Sequence, residues 1–230
     1  MKLFYGQIFP EIKLNDDEQQ HITKVLRMRE GEEIFVTDGK GNLAKGNLVF
    51  KGKTVIIDEA EIQENLPDFS PKLHIAIAPT KNMDRTEFFV EKAVELGVSE
   101  ITFLQTEKSE RKNINIERIV KQSVAASKQS LRFYFPKINN LTKLSDFIKN
   151  INSENTFVAH CHKNLERQNL SDIPKLENIT FLIGPEGDFS EKEILFLAEN
   201  GIKAVSFGNQ RLRTETAGIF AAAWIRIRNL

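Results

Sequence analysis

Residues 181–188 read FLIGPEGD, an apolar strand that runs into a turn of glycine, proline and acidic residues. Residues 207–217 read FGNQRLRTETA, with the same order of strand end, glycine and helix start. Such loops expose backbone groups at the carboxyl edge of an open α/β sheet, where these sheets bind ligands. Taken alone, the first stretch also fits a plain strand-to-helix turn. The pair predicts a small-molecule pocket with chemistry beside it.

The composition is typical of a globular protein, with 230 residues of which 40% are hydrophobic and 28% charged. This length allows one large domain or two unequal ones. The single cysteine, Cys161, excludes an intramolecular disulfide and suits a reducing compartment. The sequence starts without the apolar run of a signal peptide, and no stretch approaches the roughly 20 apolar residues of a membrane span. We therefore expect a cytoplasmic protein that does not bind membranes.

The net charge is zero, from 32 basic and 32 acidic residues, and gives no indication of a nucleic-acid partner. Residues 108–132, however, contain seven Lys and Arg but only two Glu. A local excess of positive charge can contact phosphates. The alternative is a solvated helix face, which the charge pattern alone favours.

The first 65 residues are typical of a small β-rich unit. Residues 33–37 are a strand pattern that leads into the turn signal DGKGN, which predicts a hairpin because glycine accepts positive φ. A second hairpin is predicted across residues 47–57. Residues 18–29 predict a short helix, with inward-facing Ile22, Val25, Leu26 and Met28. Two prolines within residues 65–71 mark a domain boundary.

Beyond this boundary the pattern changes to alternating strands and helices. Strands are predicted at residues 73–78, 101–105, 157–159, 179–183 and 204–207, and helices at about 84–96, 116–130 and 214–228. The first of these helices is expected to be capped by Asp84, and a further helix by Ser190. Such alternation predicts a parallel sheet with helices on both faces.

The acidic, glycine-rich loop at residues 184–188 restricts the class of ligand. It matches neither the Gly-x-x-x-x-Gly-Lys of a P-loop nor the Gly-x-Gly-x-x-Gly of a dinucleotide site. Its carboxylates repel phosphate, which argues against a nucleoside triphosphate. The loop better suits a cationic or hydroxylated ligand, such as a sulfonium or a ribose.

The second loop places an arginine at a helix start. Thr214 or Thr216 can cap this helix, which explains the hydroxyls without any ligand. Capping does not account for Arg213, because a positive charge at the positive end of the helix dipole is unfavourable. We therefore interpret Arg213 as functional, since its planar guanidinium suits the oxygens of a base or a phosphate.

The sequence His160-Cys161-His162 suggests a metal site, but neighbouring side chains of a strand point to opposite sides. No Cys-x-x-Cys motif accompanies it in the sequence. We therefore predict no metal, and place His160 at the lip of the predicted pocket.

Both loops also resemble a known signature. Residues 184–187 followed by 212–217 look like the motifs of the ribosomal RNA small subunit methyltransferase E family, knotted enzymes of the SPOUT class that use S-adenosylmethionine. The likeness extends along nearly the whole chain, with further matches at residues 21–27, 91–98, 107–109 and 129–132. The family more often has an acidic residue, glycine and arginine where this chain has Lys128, Asp188 and Gln210.

The resemblance implies an α/β fold with two domains. Residues 1–68 would form a small, β-rich, PUA-like barrel that binds RNA, and residues 72–230 a SPOUT-type, trefoil-knotted methyltransferase domain. The knotted domain would also pair two chains into a homodimer. The apolar stripe around Trp224 is a candidate interface, and ordinary core packing is the alternative for this stripe.

The resemblance further implies a set of site residues around S-adenosylmethionine, the expected cofactor. Three loops would hold it, namely the loop after residues 157–159 and the two loops described above. The expected cofactor-binding residues are Leu182, Gly184, Pro185, Glu186, Gly187, Gly208, Leu212, Arg213, Thr214, Thr216, Ala217 and His160. Contacts with RNA are expected from Arg27, Lys108, Arg111, Lys112 and Arg132.

The implied reaction is methylation of N3 of a specific uridine in the 16S rRNA of the small ribosomal subunit. Neutral uracil carries a proton on N3, so the enzyme must accept a proton and stabilise an anion. We expect Arg213, alone or with Arg211, to hold the base and supply the positive charge. Glu186 and Glu215 are the candidate proton acceptors. Methylation of a ribose 2′-hydroxyl and a non-catalytic role in ribosome assembly are the alternatives.

Overall fold

The computed structural model describes residues 1–52, 54–162 and 165–229 of the chain, which divides into two compact units. The N-terminal unit consists of Met1–Asp68 and Val124–Phe135, and the C-terminal unit of Phe69–Ser123 and Pro136–Leu230. The sequence did not predict that residues 124–135 belong to the N-terminal unit. The domain limits 1–68 and 72–230 stay a prediction.

The N-terminal unit contains a five-stranded sheet. Its strands are β1 (Leu3–Gln7), β2 (Lys13–Leu14), β3 (Glu33–Thr37), β4 (Leu43–Lys51) and β5 (Thr54–Gln63). The order across the sheet is β2-β1-β3-β4-β5, and β4 pairs antiparallel with both β3 and β5, as the two predicted hairpins require. Lys53, which falls within the second hairpin predicted from the sequence, lies outside the described residues. Buried apolar side chains such as Phe4, Ile34 and Leu48 form the core.

The helix predicted at residues 18–29 is only partly correct. Helix α1 spans Asp16–Gln20 and continues into a π-helical turn at His21–Val25. The backbone N–H of Leu26 donates to the carbonyl of His21, a five-residue step that turns the following side chains away from the face expected of an α-helix. Ile22 and Met28 are buried as predicted, whereas Val25 and Leu26 are exposed.

The C-terminal unit contains a seven-stranded sheet in which the described neighbours all pair parallel. Its strands are β6 (Lys72–Ile77), β7 (Glu100–Gln105), β8 (Lys137–Lys143), β9 (Thr156–Ala159), β10 (Gln168–Asn169), β11 (Asn178–Ile183) and β12 (Lys203–Ser206). The order is β10-β12-β9-β11-β6-β7-β8, so β11 lies at the centre. The predicted parallel α/β sheet is confirmed, although β8 and β10 have no counterpart in the sequence prediction. The trefoil knot stays a prediction.

The helices that follow the strands are α2 (Met83–Glu95), α3 (Ile116–Gln129), α4 (Leu144–Ile148), α5 (Glu191–Glu199) and α6 (Thr214–Arg228). Helix α5 begins with a capping box, as predicted, in which Ser190 and Glu193 each accept the other's backbone N–H. Helix α2 is capped by Asn82 and not by Asp84, so that expectation is wrong. None of the described helices is long and apolar enough to cross a lipid bilayer.

Strand β11 supplies the centre of an aromatic cluster in the core. Phe181 and Leu182 are fully buried. The ring centroid of Phe181 lies 6.0 Å from that of Phe157, 5.8 Å from that of Phe207 and 6.2 Å from that of Trp224. Tilted and edge-to-face contacts at such distances add to the free energy of burial. The cluster ties β9, the loop after β12 and α6 to the central strand.

Helices α6 and α2 approach closely at Gly218. A Cβ at this position would lie 2.6 Å from Cδ2 of Phe89 and 3.1 Å from Cδ1 of Ile77. Phe89 is almost fully buried, so its ring has little space into which it could move. Packing therefore requires the glycine, although glycine lowers helix propensity.

Gly218→Ala should destabilise the protein by about 1–3 kcal/mol, the usual cost of overpacking a core. Helix propensity alone predicts the opposite, a gain of up to about 1 kcal/mol. Urea unfolding followed by circular dichroism distinguishes the two expectations. The double variant with Phe89→Leu, which creates space beside residue 218, should lose less stability than the two single variants combined. A stabilised Gly218→Ala protein would contradict this packing.

Candidate functional site

A cavity of about 600 Å³ opens at the carboxyl ends of β9, β11 and β12. In the sheet register, Ile183 pairs with Ala159 and Ala159 with Val205, so the three parallel strands end within one residue of one another. The loops that leave them therefore meet at one edge of the sheet. The apolar part of the cavity wall comes from these strand ends together with Pro185, Phe207, Leu212 and Ala217. Both loops singled out in the sequence line this cavity.

Most of the predicted cofactor-binding residues are in the cavity wall. They are His160, Gly184, Pro185, Glu186, Gly187, Gly208, Leu212, Arg213, Thr214 and Ala217. Leu182 and Thr216 are not, because Leu182 is buried in the apolar core and Thr216 is exposed on α6. The lining residues that the sequence did not assign to the cofactor are Ala159, Cys161, His162, Arg167, Ile183, Asp188, Val205, Phe207, Gln210 and Arg211. Several of them are the last residue of a strand or the first residue after it. The predicted strand ends could therefore have identified these residues as candidates for the cavity wall.

Thr214 joins the two loops through a buried hydrogen bond. Its hydroxyl donates to the carbonyl oxygen of Gly184 at 3.0 Å. The expectation that a threonine caps α6 is wrong, because Arg213 occupies the N-cap position without a side-chain cap hydrogen bond. Thr214 is instead the first residue of α6, and its side chain bonds to the neighbouring loop.

Thr214→Val removes this hydroxyl at nearly constant volume and leaves the Gly184 carbonyl without its partner. We expect the free energy of unfolding to fall by about 1–3 kcal/mol. Thr216→Val is the matched control, because the Thr216 hydroxyl is exposed on the same turn of helix, and its effect should stay within about 0.5 kcal/mol. Equal losses in the two variants, measured by guanidinium unfolding, would refute the role of Thr214.

Asp188 joins the loop after β9 to the loop after β11. Its carboxylate accepts hydrogen bonds from the backbone N–H of Cys161 at 2.7 Å and of Phe189 at 2.8 Å. The residue has a φ of 61°, in the left-handed region that glycine favours and aspartate tolerates. This conformation explains how an aspartate can stand where the family more often has glycine. Lys163 and Asn164 lie outside the described residues.

His160 lies in the cavity wall and is 4% exposed. Burial lowers the pKa of its imidazole to about 4, against the opposing effect of the Asp188 charge. Its Nδ1 accepts a hydrogen bond from the backbone N–H of His162 at 3.2 Å, so the proton of the neutral ring is assigned to Nε2. Nε2 is buried without a hydrogen-bond partner among the described residues. A buried donor of this kind fits an acceptor on a ligand.

The lowered pKa of His160 predicts a pH dependence of stability. The native state keeps this imidazole neutral, whereas the unfolded chain protonates it near the ordinary pKa of about 6.5. Its contribution to the free energy of unfolding is therefore complete above pH 6.5 and is lost as the pH falls toward 4. The wild type should lose stability more steeply than His160→Gln over this interval. If the free energy of unfolding, measured with urea, depended on pH in the same way in both proteins, the lowered pKa of His160 would be contradicted.

Three of the four predicted catalytic residues lie in the cavity wall: Arg211, Arg213 and Glu186. All three are exposed, and Oε1 of Glu186 accepts the backbone N–H of Lys81 at 3.0 Å. Glu215 does not line the cavity. It is buried, with Oε1 3.8 Å from Nε of Arg85. This position argues against a direct role of Glu215 in catalysis.

The residues predicted to contact RNA differ in their surroundings. Arg27 and Lys112 are exposed. Lys108 and Arg111 donate hydrogen bonds to backbone carbonyls of neighbouring loops. Arg132 is buried in the N-terminal unit, which argues against the predicted phosphate contact because the guanidinium is not at the surface.

The two histidines beside Cys161 direct ring nitrogens toward protein groups. Nδ1 of His160 bonds to a backbone N–H, and Nε2 of His162 lies 2.8 Å from the carbonyl oxygen of Phe189. Their rings are 5.6 Å apart at an angle of 62°. Within the described part of the chain, no group of three or more His, Cys, Asp and Glu side chains is arranged to hold a metal ion.

Two family models match this chain. A model for an RNA methyltransferase domain matches residues 68–226, and a model for an RNA methyltransferase PUA domain matches residues 14–58. The first match covers more than half of the chain and includes all the residues that line the cavity. The cavity is therefore part of a methyltransferase domain.

Individual relatives agree with this class. A ribosomal RNA small subunit methyltransferase E from Rickettsia conorii is 30% identical over 221 residues, which cover 94% of this chain and 90% of that protein. A solved structure described as a probable rRNA-methyltransferase from Porphyromonas gingivalis is 35% identical, with a TM-score of 0.91 and coverage of 100% and 98%. The structure of a ribosomal RNA small subunit methyltransferase E from Neisseria gonorrhoeae bound to S-adenosyl methionine is 28% identical, with a TM-score of 0.82 and coverage of 99% and 98%. The chain belongs to the ribosomal RNA small subunit methyltransferase E family.

Proposed function

We propose that this protein transfers a methyl group from S-adenosylmethionine to N3 of a specific uridine in the 16S rRNA of the small ribosomal subunit. Membership of the family supports the enzyme class. The observation that carries the proposal is the cavity at the carboxyl ends of β9, β11 and β12, because both signature loops line it. The Neisseria gonorrhoeae relative, which is similar over nearly the whole chain, was solved with S-adenosyl methionine bound.

The cavity suits this cofactor in size and chemistry. Its volume of about 600 Å³ lies within the range of roughly 300–1,000 Å³ that is typical of small-molecule sites. Ile183 and Phe207 offer an apolar surface to a purine ring. The carboxylates of Glu186 and Asp188 favour cationic sulfonium and ammonium groups. The buried Nε2 of His160 supplies a donor for an oxygen or ring nitrogen of the ligand.

The proposed chemistry requires the chain to hold a uracil base and to stabilise its anion. When bound, the cofactor supplies an electrophilic methyl group on a positively charged sulfur. Loss of the N3 proton leaves a negative charge that spreads over two carbonyl oxygens of the base. Arg213, alone or with Arg211, is proposed to donate hydrogen bonds to these oxygens, and the lining position of both residues supports this role.

Glu186 is the proposed acceptor of the N3 proton. It lines the cavity, and the hydrogen bond from the backbone N–H of Lys81 orients its carboxylate. Passing the proton on to water would regenerate the carboxylate after each turnover. Glu215 is not retained in this role, because it is buried and does not line the cavity.

Exposed basic residues of each unit are proposed to contact the RNA. The match to an RNA methyltransferase PUA domain, residues 14–58, includes the exposed Arg27. In the segment after β7, Lys112 is exposed. Because both would contact phosphates, the affinity for RNA should fall as the salt concentration rises.

We also propose that the protein is a cytoplasmic homodimer that forms through the C-terminal unit. Along α6, Phe220 is 38% and Ile227 70% exposed, and Trp224 is half-buried. Exposed apolar side chains grouped on one helix support an interface at this position.

Small ribosomal subunits from a strain that lacks this enzyme test the proposal. They are incubated with the purified protein and methyl-labelled S-adenosylmethionine, and the labelled nucleoside is identified by mass spectrometry and mapped. We expect N3-methyluridine at one position of the 16S rRNA. A 2′-O-methylated nucleoside would establish the ribose-methylating alternative. Absence of both label and calorimetric cofactor binding would favour the non-catalytic alternative.

Arg213→Ala should lower the rate of methyl transfer by about 100-fold or more, because a group that stabilises developing negative charge is lost. The fold should stay close to that of the wild type, since the Arg213 side chain makes no cap hydrogen bond. The cofactor affinity should change much less than the rate, because the guanidinium is proposed to contact the base. The same assay on Arg211→Ala separates the contributions of the two arginines. Near-normal turnover of Arg213→Ala would contradict its catalytic role.

A further inference from the structure

The segment after β7, residues 106–111, contacts two neighbouring loops at the carboxyl edge of the sheet. Strands β11, β6 and β7 are adjacent, so the loops that follow them lie side by side. We call residues 106–111 the strut, and residues 184–189, which follow β11, the Gly184 loop. The Gly184 loop forms part of the cavity wall, whereas none of the strut residues does.

Lys108 attaches the strut to the Gly184 loop. Its ammonium donates to the carbonyl oxygen of Gly187 at 3.0 Å and to that of Phe189 at 3.3 Å. The aliphatic stem packs against the same loop, because a Cβ on Gly187 would lie 3.3 Å from Cδ of Lys108. Hydrogen bonds from a charged donor are stronger than neutral ones. Lys108 thus fixes the backbone on both sides of Asp188.

Glu193 provides a second attachment between the strut and the end of the Gly184 loop. Its Oε1 accepts the backbone N–H of Glu107 at 2.7 Å, and its Oε2 accepts that of Ser190 at 2.8 Å. The carboxylate therefore does more than complete the capping box of α5. It holds the strut at the point where the Gly184 loop enters the helix.

Arg111 attaches the other end of the strut to the loop after β6. Its Nε donates to the carbonyl oxygen of Thr80 at 3.2 Å, and its Nη2 to that of Lys81 at 2.6 Å. The backbone N–H of Lys81 in turn donates to Glu186 at 3.0 Å. Arg111 therefore reaches the proposed proton acceptor through one intervening residue.

The strut itself is held in shape by buried hydroxyl groups. The Ser109 hydroxyl accepts the backbone N–H of Thr106 at 3.0 Å and lies 2.9 Å from the Thr106 hydroxyl. Both residues are buried, so these bonds are shielded from water. A turn shaped in this way presents Lys108 and Arg111 in a fixed arrangement.

We propose that Lys108 and Arg111 are positioning residues, which hold the Gly184 loop and Glu186 in the arrangement that binds the cofactor and receives the proton. This inference rests on the proposed function. It replaces the prediction that the two side chains contact RNA phosphates, because each of them directs two donor hydrogen bonds to backbone carbonyls. The phosphate contact becomes the outcome that would overturn it.

Lys108→Met tests the proposal, because methionine keeps most of the aliphatic stem and removes the ammonium. We expect the affinity for S-adenosylmethionine, measured by calorimetry, to fall by about tenfold, as is usual for the loss of charged hydrogen bonds. Lys108→Arg, which restores a cationic donor, should recover part of this loss. Lys192→Met is the matched control, since Lys192 is an exposed lysine on α5 and does not line the cavity. Its affinity should equal that of the wild type.

Two further measurements separate positioning from an RNA contact. Hydrogen exchange of the ligand-free proteins should show faster exchange in residues 187–190 of Lys108→Met than in Lys192→Met. The slope of log affinity for a 16S rRNA transcript against log salt should be unchanged in Lys108→Met, whereas loss of one phosphate contact lowers it by about 0.7–0.9. Unchanged cofactor affinity and exchange, or a reduced salt slope, would overturn the proposal. If the wild type itself bound no S-adenosylmethionine, the proposed function would fail, and hydrogen exchange would still decide the positioning role.

Discussion

The parallel pairing of β11 with β6 and β9 is the constraint on which the site depends. It places the Gly184 loop between neighbouring loops, where it receives hydrogen bonds from several directions. Thr214 bonds to it from α6, and Lys108 from the strut. Its own Asp188 bonds to the backbone of Cys161 in the loop after β9. A loop fixed in this way can present backbone groups and carboxylates to a ligand without reorganising first.

The charged side chains around the cavity differ in their surroundings according to their sign. The carboxylates of Glu186 and Asp188 are bonded to backbone N–H groups, which holds negative charge in fixed positions. Arg211 and Arg213 are exposed at the same cavity. Fixed anions suit a cationic cofactor, and exposed guanidinium groups suit a base that arrives with a large RNA. In the proposed reaction, the carboxylates would attract the cofactor and the guanidinium groups would stabilise the substrate anion.

Local signals predicted the secondary structure well, and non-local contacts explain some of the errors. The capping box at Ser190 and the strand at residues 179–183 depend on residues close in sequence, and both are confirmed. Strand β8, residues Lys137–Lys143, lacks a continuous apolar run because it lies at the sheet edge, where its Asn139 bonds to Glu100 and Thr102 of β7. The π-helical turn after α1 was also not predicted, because the spacing of the apolar residues does not indicate it.

The sequence by itself determined the strand–loop–helix units, the acidic glycine-rich turn and the arginine-rich loop, because each is encoded within a few neighbouring residues. Only the tertiary structure decided the partners of individual polar side chains. Thr214 bonds to Gly184, 30 residues away, and Lys128 pairs with the buried Glu18, 110 residues away. The same holds for Lys108. Its charge suggested a contact with RNA, whereas in the structure its ammonium donates hydrogen bonds to the Gly184 loop. The physical reason is that a charged or hydroxyl side chain requires a hydrogen-bond partner when it is buried, whereas the chain topology determines which partners are within reach.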